Sequence, residues 1–587
     1  MSALHEQQIP ASGAAGLAGV AARDAAGGRR VRRFSADLSA VGEPALWAFG
    51  GALALGIILI AGFLAMIAWN GFSTFWPKPI ERVELTSGEV LAGVATRGGP
   101  YRPGESTLAQ LDDETRAAIA ANDGFASRTL YQTANFDLYG DDFRWVSDFE
   151  VADITRPEDF FYIERQQWGV FIGRIVSLVV DGEQVEITPD RLSREQRAAR
   201  QRFTEIRGLE RGDIGGINHL IERERLAIRR AEIRLGEDSP EAQAAIAEAQ
   251  ARIAELQAEF QTLQQRVNAI RAEDRTTRIT FAEVNGQQVE TELSQVVRFF
   301  PANALSLPDR IGIYLSRWWE FVSAEPREAN TQGGVLPAIF GTVAMTLLMV
   351  VFVAPFGVIT ALYLREYAKQ GRVTSIVRIS VNNLAGVPSI VYGVFGLGFF
   401  AYAMGGTIDQ LFYPEALPNP TFGKGGILWA SLTLALLTVP VVIVASEEAL
   451  SAVPRSMREG SLACGASKWQ TIRYVVLPKA LPGIMTGMIL AMARGAGEVA
   501  PLMLVGVVKL APALPVDGFA PFIHLDRSFM HLGFHIFDVG FQSRNSEAGK
   551  PMVFVTTVLL LALIITMNAT AIYVRNRLKR KYAAGEF

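Results

Sequence analysis

Six apolar segments, each long enough to cross a lipid bilayer, constrain the fold of this 587-residue chain more than any other feature. The first segment, Leu46–Trp69, contains no charged residue. The other five lie at about Val335–Leu364, Val377–Met404, Ile427–Ala445, Leu481–Val508 and Met552–Val574. Half of all residues are hydrophobic, as is typical of membrane proteins. These segments predict an α-helical polytopic membrane protein with six transmembrane helices.

Basic residues concentrate on four of the polar stretches that flank these segments. They are Arg29, Arg30, Arg32 and Arg33 in the N-terminal tail, Arg365, Lys369 and Arg372 in one turn, Arg455, Arg458, Lys468, Arg473 and Lys479 in one loop, and Arg575, Arg577, Lys579, Arg580 and Lys581 near the C-terminus. Because basic flanks stay cytoplasmic, we predict a multi-pass membrane protein with both termini in the cytoplasm. Residues 1–45 are then a flexible cytoplasmic tail, and residues 70–334 lie on the outer side of the membrane.

The long polar region between the first and second segments contains two stretches typical of β-hairpins. Trp168–Ile187 and Arg278–Val296 are rich in β-branched residues, and each contains an Asp-Gly or Asn-Gly turn signal. We expect a small β domain here. With the helical residues that lie between the two stretches, the insertion as a whole is predicted to be α+β.

Those intervening residues, Arg194–Glu273, are highly charged and have a helical periodicity. In the second half, apolar residues recur at alternating spacings of three and four: Ile246, Ala249, Ile253, Leu256, Phe260, Leu263, Val267 and Ile270. This spacing indicates a coiled-coil seam. The first half repeats it less regularly, with Glu224 at one core position, and the sequence GEDSP separates the halves. We predict an antiparallel coiled-coil hairpin over residues 194–273; a spacer or an intermolecular coiled coil remains an alternative.

The last part of the polar region, Pro308–Val322, has the pattern of an amphipathic helix. Its apolar residues include Ile311, Ile313, Trp318, Trp319 and Phe321. Because large aromatic side chains are favoured where membrane meets water, we predict that this helix lies along the outer membrane surface.

The sequence contains neither a nucleotide-binding loop nor an obvious metal site. No G-x-x-x-x-G-K-[ST] pattern occurs, and Cys464 is the single cysteine, so an intramolecular disulfide is excluded. His524, His531 and His535 lie in a predicted outer loop, but the last two lack the Glu that a zinc-protease helix requires. We therefore expect no metal and no cofactor on this chain, and no nucleic-acid partner.

The loop at 447–480, between the fourth and fifth segments, carries the most specific spacing in the chain. Its order is Glu459, Gly460, Ser461, three residues, Gly465, nine residues, Val475, one residue, Leu477 and Pro478. This order resembles the cytoplasmic EAA loop of ABC-importer permeases, with Gly and Ser in place of the two alanines. A short helix from about Pro454 to Cys464, a glycine turn and a second short helix would form a compact knob. The resemblance implies that the knob couples to an ATPase; a basic, solvated loop is the alternative.

The fifth segment contains two charged residues, Arg494 and Glu498, four positions apart. On a continuous helix they would share one face. Charges inside a bilayer are costly and usually face a pathway or a partner. A guanidinium group presents a fork of donors that suits a tetrahedral oxyanion. We predict that the pair lies on a substrate pathway, and a purely structural ion pair is the alternative.

The third segment adds three polar candidates for the same pathway, Asn382, Asn383 and Ser389. Together with Pro388, they could free backbone groups near a central cavity. Packing of helices beside Gly393 and the other glycines of this segment explains them equally well. Both interpretations stay open.

Residues 494–502, RGAGEVAPL, resemble the R-x-x-G-E-T-A-P-L signature of the A-type permeases of phosphate-specific ABC importers (PstA), with Val499 in place of threonine. The stretches GGVLPAIFGT at 333–342 and NLAGVPSIVYGVFGLG at 383–398 agree. This resemblance covers about 333–582 and the first segment, and it implies an ABC type I importer permease fold for residues 335–582. The large insertion resembles the extension found in a subset of these permeases, for which the family implies no function.

The resemblance implies a permease subunit that moves inorganic phosphate across the bacterial inner membrane without chemical change, and not an enzyme. Residues 70–334 would then be periplasmic. A PstB-like ATPase dimer carrying ATP and Mg²⁺ would drive it, a PstC-like second permease would complete the pore, and a PstS-like periplasmic binding protein would deliver the anion. One alternative is a permease for another oxyanion, such as sulfate or molybdate. Another is a membrane-anchored periplasmic coiled-coil adaptor, which would leave five of the six segments unexplained.

Overall fold

The computed structural model describes residues 44–511, 513–520, 522–543 and 546–583. The tail predicted to be flexible and cytoplasmic, residues 1–45, lies outside the described residues except for its last two. Helix α1, Pro44–Ser73, is a single helix of 30 residues and contains the whole first predicted span.

A five-stranded antiparallel sheet follows α1. Its strands are β1 (Glu81–Leu85), β2 (Val90–Tyr101), β3 (Ala126–Gln132), β4 (Phe143–Ser147) and β5 (Val151–Thr155), in the order β4-β3-β2-β1-β5. The short helices α2 (Glu105–Leu108), α3 (Asp113–Ala121) and α4 (Phe136–Tyr139) lie in its connections. Sequence reasoning did not predict this sheet, because β2 contains Gly98, Gly99 and Pro100, residue types that are depleted in strands.

A second antiparallel sheet contains both predicted hairpins. Its strands are β6 (Phe161–Arg165), β7 (Val170–Val180), β8 (Glu183–Val185), β9 (Arg278–Ala282), β10 (Gln288–Glu292) and β11 (Val296–Pro301), in the order β10-β9-β7-β6-β11 with β8 paired to β7. The turn signals act as expected, since Asp181, Gly182 and Gly286 all have positive φ angles. We refer to the two sheets together as the sheet domain.

Three helices between β8 and β9 form a long hairpin: α5 (Pro189–Gly208), α6 (Gly215–Leu235) and α7 (Pro240–Asp274), with a π-helical stretch, Leu209–Ile214, joining the first two. Arg252 of α7 pairs with Glu224 of α6 at 3.7 Å. Arg266 lies further along α7 but pairs at 2.7 Å with Glu205 of α5, which comes earlier in the chain. The two arms are therefore antiparallel. All residues of the 3-4 repeat on α7 are buried or half-buried, while coiled-coil geometry itself remains a prediction.

Helix α8, Leu307–Ser323, is the amphipathic helix expected at 308–322 and begins with a capping box between Ser306 and Asp309. One face packs against the rest of the protein, where Phe321 is fully buried. The opposite face exposes an apolar residue at every fourth position: Leu307, Ile311, Leu315 and Trp319. Its contact with lipid stays a prediction. The short strands β12 (Pro326–Arg327) and β13 (Gln332–Gly333) pair with each other before the chain enters the membrane part.

The second span is α9 (Leu336–Leu362), which a π-helical stretch, Tyr363–Tyr367, extends. The third span begins later than predicted. Residues 377–384 belong to a separate helix, α10 (Arg372–Leu384), and the span itself consists of α11 (Ser389–Phe395), a π-helical stretch (Gly396–Gly405) and α12 (Gly406–Phe412). The predicted bounds Val377–Met404 are wrong because Pro388 disfavours a helical conformation in the residue before it and therefore breaks the helix.

The rest of the membrane part consists of α13 (Ile427–Ser451), α14 (Arg455–Ala463), α15 (Lys468–Thr471), a π-helical stretch (Ile472–Val476), α16 (Leu477–Gly497), α17 (Ala500–Val505), α18 (Leu532–Phe537), a π-helical stretch (Asp538–Gln542) and α19 (Ser546–Ala583). Over the described residues, six helical stretches are long and apolar enough to span a membrane. Helix α13 is the most buried of them, and its Ala430, Leu434 and Val442 lie in the core of the membrane part.

The helical hairpin contacts the membrane part through α6. Arg230 donates a hydrogen bond of 2.9 Å to Glu415, which lies between α12 and α13 and is only 2% exposed. Near the start of α6, the His219 and Phe519 ring centroids are 5.4 Å apart. The hairpin is thus packed against two loops of the membrane part.

Candidate functional site

The fifth span is interrupted at the charged residues that were expected to mark a substrate pathway. Helix α16 ends at Gly497, Glu498 is extended with φ −80° and ψ 130°, and α17 begins at Ala500. The prediction of one continuous span, Leu481–Val508, with both charges on one helix face is therefore wrong. In a continuous helix the ring of Pro501 would clash with the carbonyl group four residues earlier, which explains the break.

Arg494 and Glu498 remain close to each other across the helix end. The Arg494 Nε and Glu498 Oε1 atoms are 3.6 Å apart, and the side chains are 36% and 22% exposed. This distance exceeds that of a good hydrogen bond. Among the residues that the structure describes, neither side chain has another hydrogen-bonding or ionic partner. Most N–H donors of the guanidinium group are therefore available to an incoming ligand.

Helix α11 of the third span packs directly against α17. An added Cβ at Gly393 would lie 2.7 Å from the Cα of Pro501, so only glycine allows this approach. The neighbouring Tyr392 is buried and donates a hydrogen bond of 2.6 Å to the carbonyl oxygen of Leu384, across the break before α11. The interruptions of the third and fifth spans therefore lie side by side. Sequence reasoning did not assign this bridging role to Tyr392, although Pro388 marks the break.

Another glycine of the third span also serves close packing. An added Cβ at Gly396 would lie 2.1 Å from the Oγ1 atom of Thr433 on α13. The helix-packing interpretation therefore holds for Gly393 and Gly396.

The other three predicted pathway residues lie on either side of the break in the third span. Asn382 and Asn383 are exposed on α10, before the break, and Ser389 is the half-buried first residue of α11. Within the described ranges, none of the three has a recorded hydrogen bond to Arg494 or Glu498. Their place on a substrate pathway stays a prediction.

The substituted position of the signature, Val499, lies in an apolar contact. Its Cγ2 atom would be 2.6 Å from a Cβ added to Gly533 of α18. Val499 carries a methyl group where the family signature has a threonine. Gly533, which packs against Val499, leaves room for it.

The loop at 447–480 has the two-helix form that its spacing predicts. Helix α14 ends before Gly465, which has φ +84°, and α15 begins with a capping box between Ser467 and Gln470. The hydroxyl groups of Ser461 and Thr471 are 2.9 Å apart and join the two helices. We call residues 455–471 the knob.

The knob is fixed to the membrane part on one side and open on the other. Arg458 donates hydrogen bonds to the carbonyl oxygens of Leu450 and Val453, at 2.7 and 2.6 Å, and pairs with Glu366 at 2.9 Å. On the open side of the knob, the side chains of Leu462 and Trp469 are about half exposed. Glu459, Gly460 and Gly465 are exposed, whereas Val475, Leu477 and Pro478 are half-buried where the loop rejoins α16. The arrangement is that of a rigid projection available to a partner.

The three histidines occupy separate environments. The His524 Nε2 atom is 2.8 Å from Asp517 Oδ1. His531 accepts a hydrogen bond from the backbone N–H of Gly533 at the start of α18, and His535 lies 3.4 Å from the hydroxyl oxygen of Thr556. Burial lowers the pKa of both His531 and His535 to about 4, so they are neutral at physiological pH. The described residues contain no group of three or more side chains suited to hold a metal ion.

Comparisons with known proteins identify several transport proteins to which this chain is similar. Residues 353–580 match the family model described as binding-protein-dependent transport system inner membrane component. The phosphate transport system permease protein PstA 1 of Mycobacterium tuberculosis H37Rv is 38% identical over 192 residues, which are 32% of this chain and 56% of that protein. The probable ABC transporter permease protein YqgH of Bacillus subtilis is 34% identical over 33% of this chain and 59% of that protein.

A second Bacillus subtilis protein, the probable ABC transporter permease protein YqgI, is 29% identical over 43% of this chain and 84% of its own length. The chain thus spans somewhat over half the length of PstA 1 and YqgH. Among solved structures, the inward-facing MetNI methionine ABC transporter is matched over 42% of this chain with 20% identity and a TM-score of 0.32. Residues 353–580 are thus similar to the binding-protein-dependent transport system inner membrane components, and the phosphate permease PstA 1 is among the proteins that this chain resembles.

Proposed function

We propose that this chain is the membrane permease subunit of an ATP-driven importer that translocates inorganic phosphate across the bacterial inner membrane. The observation that carries the proposal is the loose Arg494–Glu498 pair at the break of the fifth span. An anion that reaches this break meets a guanidinium group with free donors and a carboxylate that it can displace. Phosphate oxygens match the fork of guanidinium donors, and a charge-assisted hydrogen bond is about twice as strong as a neutral one.

The choice of phosphate is supported by sequence rather than by a contact. The signature at 494–502 is the strongest support, together with relatives such as PstA 1. Sulfate and molybdate are tetrahedral oxyanions too, so an importer for one of them is the nearest alternative. The alternative of a membrane-anchored adaptor is disfavoured because the described residues include six potential membrane spans. In addition, residues 353–580, which match the family model, lie in the part of the chain that contains most of these spans.

The remaining components of the importer follow from the same proposal. A PstB-like ATPase dimer, carrying ATP and Mg²⁺, grips the knob and drives alternating access. A PstC-like permease supplies the other half of the pore, and a PstS-like binding protein delivers phosphate to the side of the sheet domain. This side is then periplasmic, and both termini are cytoplasmic.

The test is phosphate uptake in cells that lack their own high-affinity system and are supplied with the partner subunits. Wild type, Arg494→Gln and the exposed control Arg577→Gln are compared at matched membrane levels, with sulfate and molybdate as competitors. Because hydrogen bonds to charged groups contribute about 1.5–3 kcal/mol, we expect Arg494→Gln to lower uptake about tenfold or more. The control should retain wild-type uptake.

Each outcome separates one alternative. Phosphate uptake that sulfate or molybdate abolishes at a concentration well below that of phosphate would assign another oxyanion. Unchanged uptake by Arg494→Gln would contradict the pathway role of the ion pair. Failure of the ATPase subunits to co-purify with the wild-type chain would favour the adaptor.

A further inference from the structure

A cavity of about 580 Å³ lies where the sheet domain meets the membrane helices. It is lined by residues 70–78, which end and follow α1, by residues 547–554 at the start of α19, and by side chains from both sheets and from α8. Both helix segments change here from apolar to polar: Trp69 is followed by Asn70, and Lys550 precedes Met552. The cavity therefore lies at the level where lipid headgroups meet the hydrocarbon of a bilayer.

The lining of this cavity has two chemically distinct components. One is apolar and largely aromatic, and includes Phe75, Trp76, Phe143, Tyr162, Phe300 and Phe554. The other is charged and combines five basic with three acidic side chains: Lys78, Arg97, Arg317, Arg327 and Lys550 with Glu164, Glu320 and Glu547. A ligand that fits both components is an amphiphile with an anionic group.

The charged side chains are unequally neutralised. Arg317 is paired with Glu164 at 2.6 Å and Arg327 with Glu320 at 2.5 Å, so this part of the wall carries little net charge.

The other three basic groups are less well compensated. Arg97 and Lys550 share a single carboxylate, Glu547, each at 2.7 Å. Lys78 has no carboxylate partner among the residues that the structure describes, and burial lowers its pKa from the ordinary value. The cavity therefore has an excess of positive charge on the side formed by Lys78, Arg97 and Lys550.

We propose that this cavity binds the phosphate headgroup of an anionic phospholipid from the leaflet on the side of the sheet domain. The lipid phosphate lies near Lys78, with Arg97 and Lys550 as further donors, and the acyl chains follow the aromatic wall toward the hydrocarbon. A free anion would leave that wall without a partner, and a zwitterionic lipid would leave the excess charge uncompensated. The bound lipid ties the sheet domain to the membrane surface, whatever substrate the protein transports.

The experiment measures lipid-dependent thermal stabilisation of the purified full chain in detergent. Phosphatidylglycerol, phosphatidylcholine and inorganic phosphate are titrated separately, and the concentration of half-maximal stabilisation gives an apparent affinity. We expect phosphatidylglycerol to bind at least about tenfold more tightly than phosphatidylcholine, the difference that one charge-assisted contact provides. Any stabilisation by inorganic phosphate, the proposed substrate, should be equal in wild type and in Lys78→Gln.

Two variants and a matched control localise the effect. Lys78→Gln should weaken the affinity for phosphatidylglycerol about tenfold. Lys424→Gln, an exposed lysine outside the cavity, should leave it unchanged and so reports general attraction to anionic lipid. Ser73→Trp adds bulk to the cavity wall without changing its charge and should also weaken binding.

The proposal is overturned by any of three results. The first is equal stabilisation by the two lipids, and the second is equal loss in Lys78→Gln and Lys424→Gln. The third is stabilisation by inorganic phosphate that Lys78→Gln removes, which would assign the cavity to a free anion. Phosphate bound at the Arg494–Glu498 pair does not involve Lys78, because neither residue of that pair lines the cavity, so the proposal can fail while the proposed function stands.

Discussion

Gly465 has room around it for an added side chain, although its backbone conformation is constrained. Its φ of +84° lies in the left-handed region, and an added Cβ would meet no heavy atom within 4 Å. A small side chain there would cost about 1–2 kcal/mol of backbone strain but would produce no clash inside the chain. Any larger effect must therefore arise in a partner that contacts the knob.

We predict that Gly465→Asp impairs binding of the ATPase without impairing folding. The variant should fold and insert normally, but it should retain much less of the ATPase on co-purification, because the new carboxylate occupies the docking surface of the knob. Gly88→Asp is the matched control, since Gly88 has φ +85° and equally open surroundings but lies in a turn of the sheet domain. Normal recovery of the ATPase with Gly465→Asp, or an equal loss with Gly88→Asp, would contradict coupling through the knob.

Among the helices, α6 has a role that its sequence does not reveal. The sequence predicts an antiparallel coiled-coil hairpin without indicating what it contacts; in the structure, Arg230 of α6 pairs with Glu415 of the membrane part. The Glu415 side chain is 1% exposed, so its charge depends on that arginine for compensation. The contact makes α6 a brace between the insertion and the membrane helices.

Removing the arginine should therefore destabilise the protein although Arg230 itself is half exposed. We expect Arg230→Gln to lower the free energy of unfolding by about 1–3 kcal/mol, the usual result of leaving a buried polar group without its partner. The adjacent Arg229→Gln changes an exposed arginine with no such contact and should be neutral. Thermal unfolding and limited proteolysis of the purified chain measure both; equal midpoints for the two variants would refute the brace.

The helices also show how far sequence reasoning reaches. The spans, the two-helix knob and the hairpin break at GEDSP follow from hydropathy and turn chemistry, which are local properties. The third and fifth spans differ from prediction because Pro388 and Pro501 interrupt helices inside apolar stretches, where hydropathy alone gives no boundary. The contacts of Gly393 with Pro501 and of Arg230 with Glu415 join residues far apart in sequence. No pattern in a single sequence specifies such pairs.

On the scale of the whole molecule, a buried network of charges joins the sheet domain to the helix that leads into the membrane part. Glu164 of β6 accepts hydrogen bonds from Arg298 and Arg317, at 2.5 and 2.7 Å, and Glu320 of α8 is paired with Arg298 and Arg327. Burial alone would raise the pKa of Glu164, but the charges of Arg317, Arg298 and Arg327 outweigh it and lower the pKa to about 2. This carboxylate therefore stays ionised down to strongly acidic pH.

The buried histidines add a second pH range in which the folded protein loses stability, and this range lies at higher pH than that of Glu164. In the unfolded chain His531 and His535 have a pKa near 6.5, whereas burial lowers it to about 4 in the folded protein. Protons are thus bound more readily by the unfolded state between these values, so stability is full above pH 6.5 and falls as the pH decreases toward 4. The carboxylate of Glu164 adds its own loss only lower, between about pH 4.5 and 2. The two windows can therefore be measured separately.

We predict that the thermal unfolding midpoint of the purified chain falls as the pH is lowered from 7.5 to 4.5, and that the two histidines cause much of this fall. Each contributes on the order of 3 kcal/mol, because one pKa unit corresponds to about 1.4 kcal/mol. His535→Gln should flatten the pH dependence by about half, even though its midpoint at pH 7.5 is lower than that of wild type. His531→Gln should do the same, which provides an independent repeat at a second position. A pH dependence as steep in both variants as in wild type would show that other groups control acid stability.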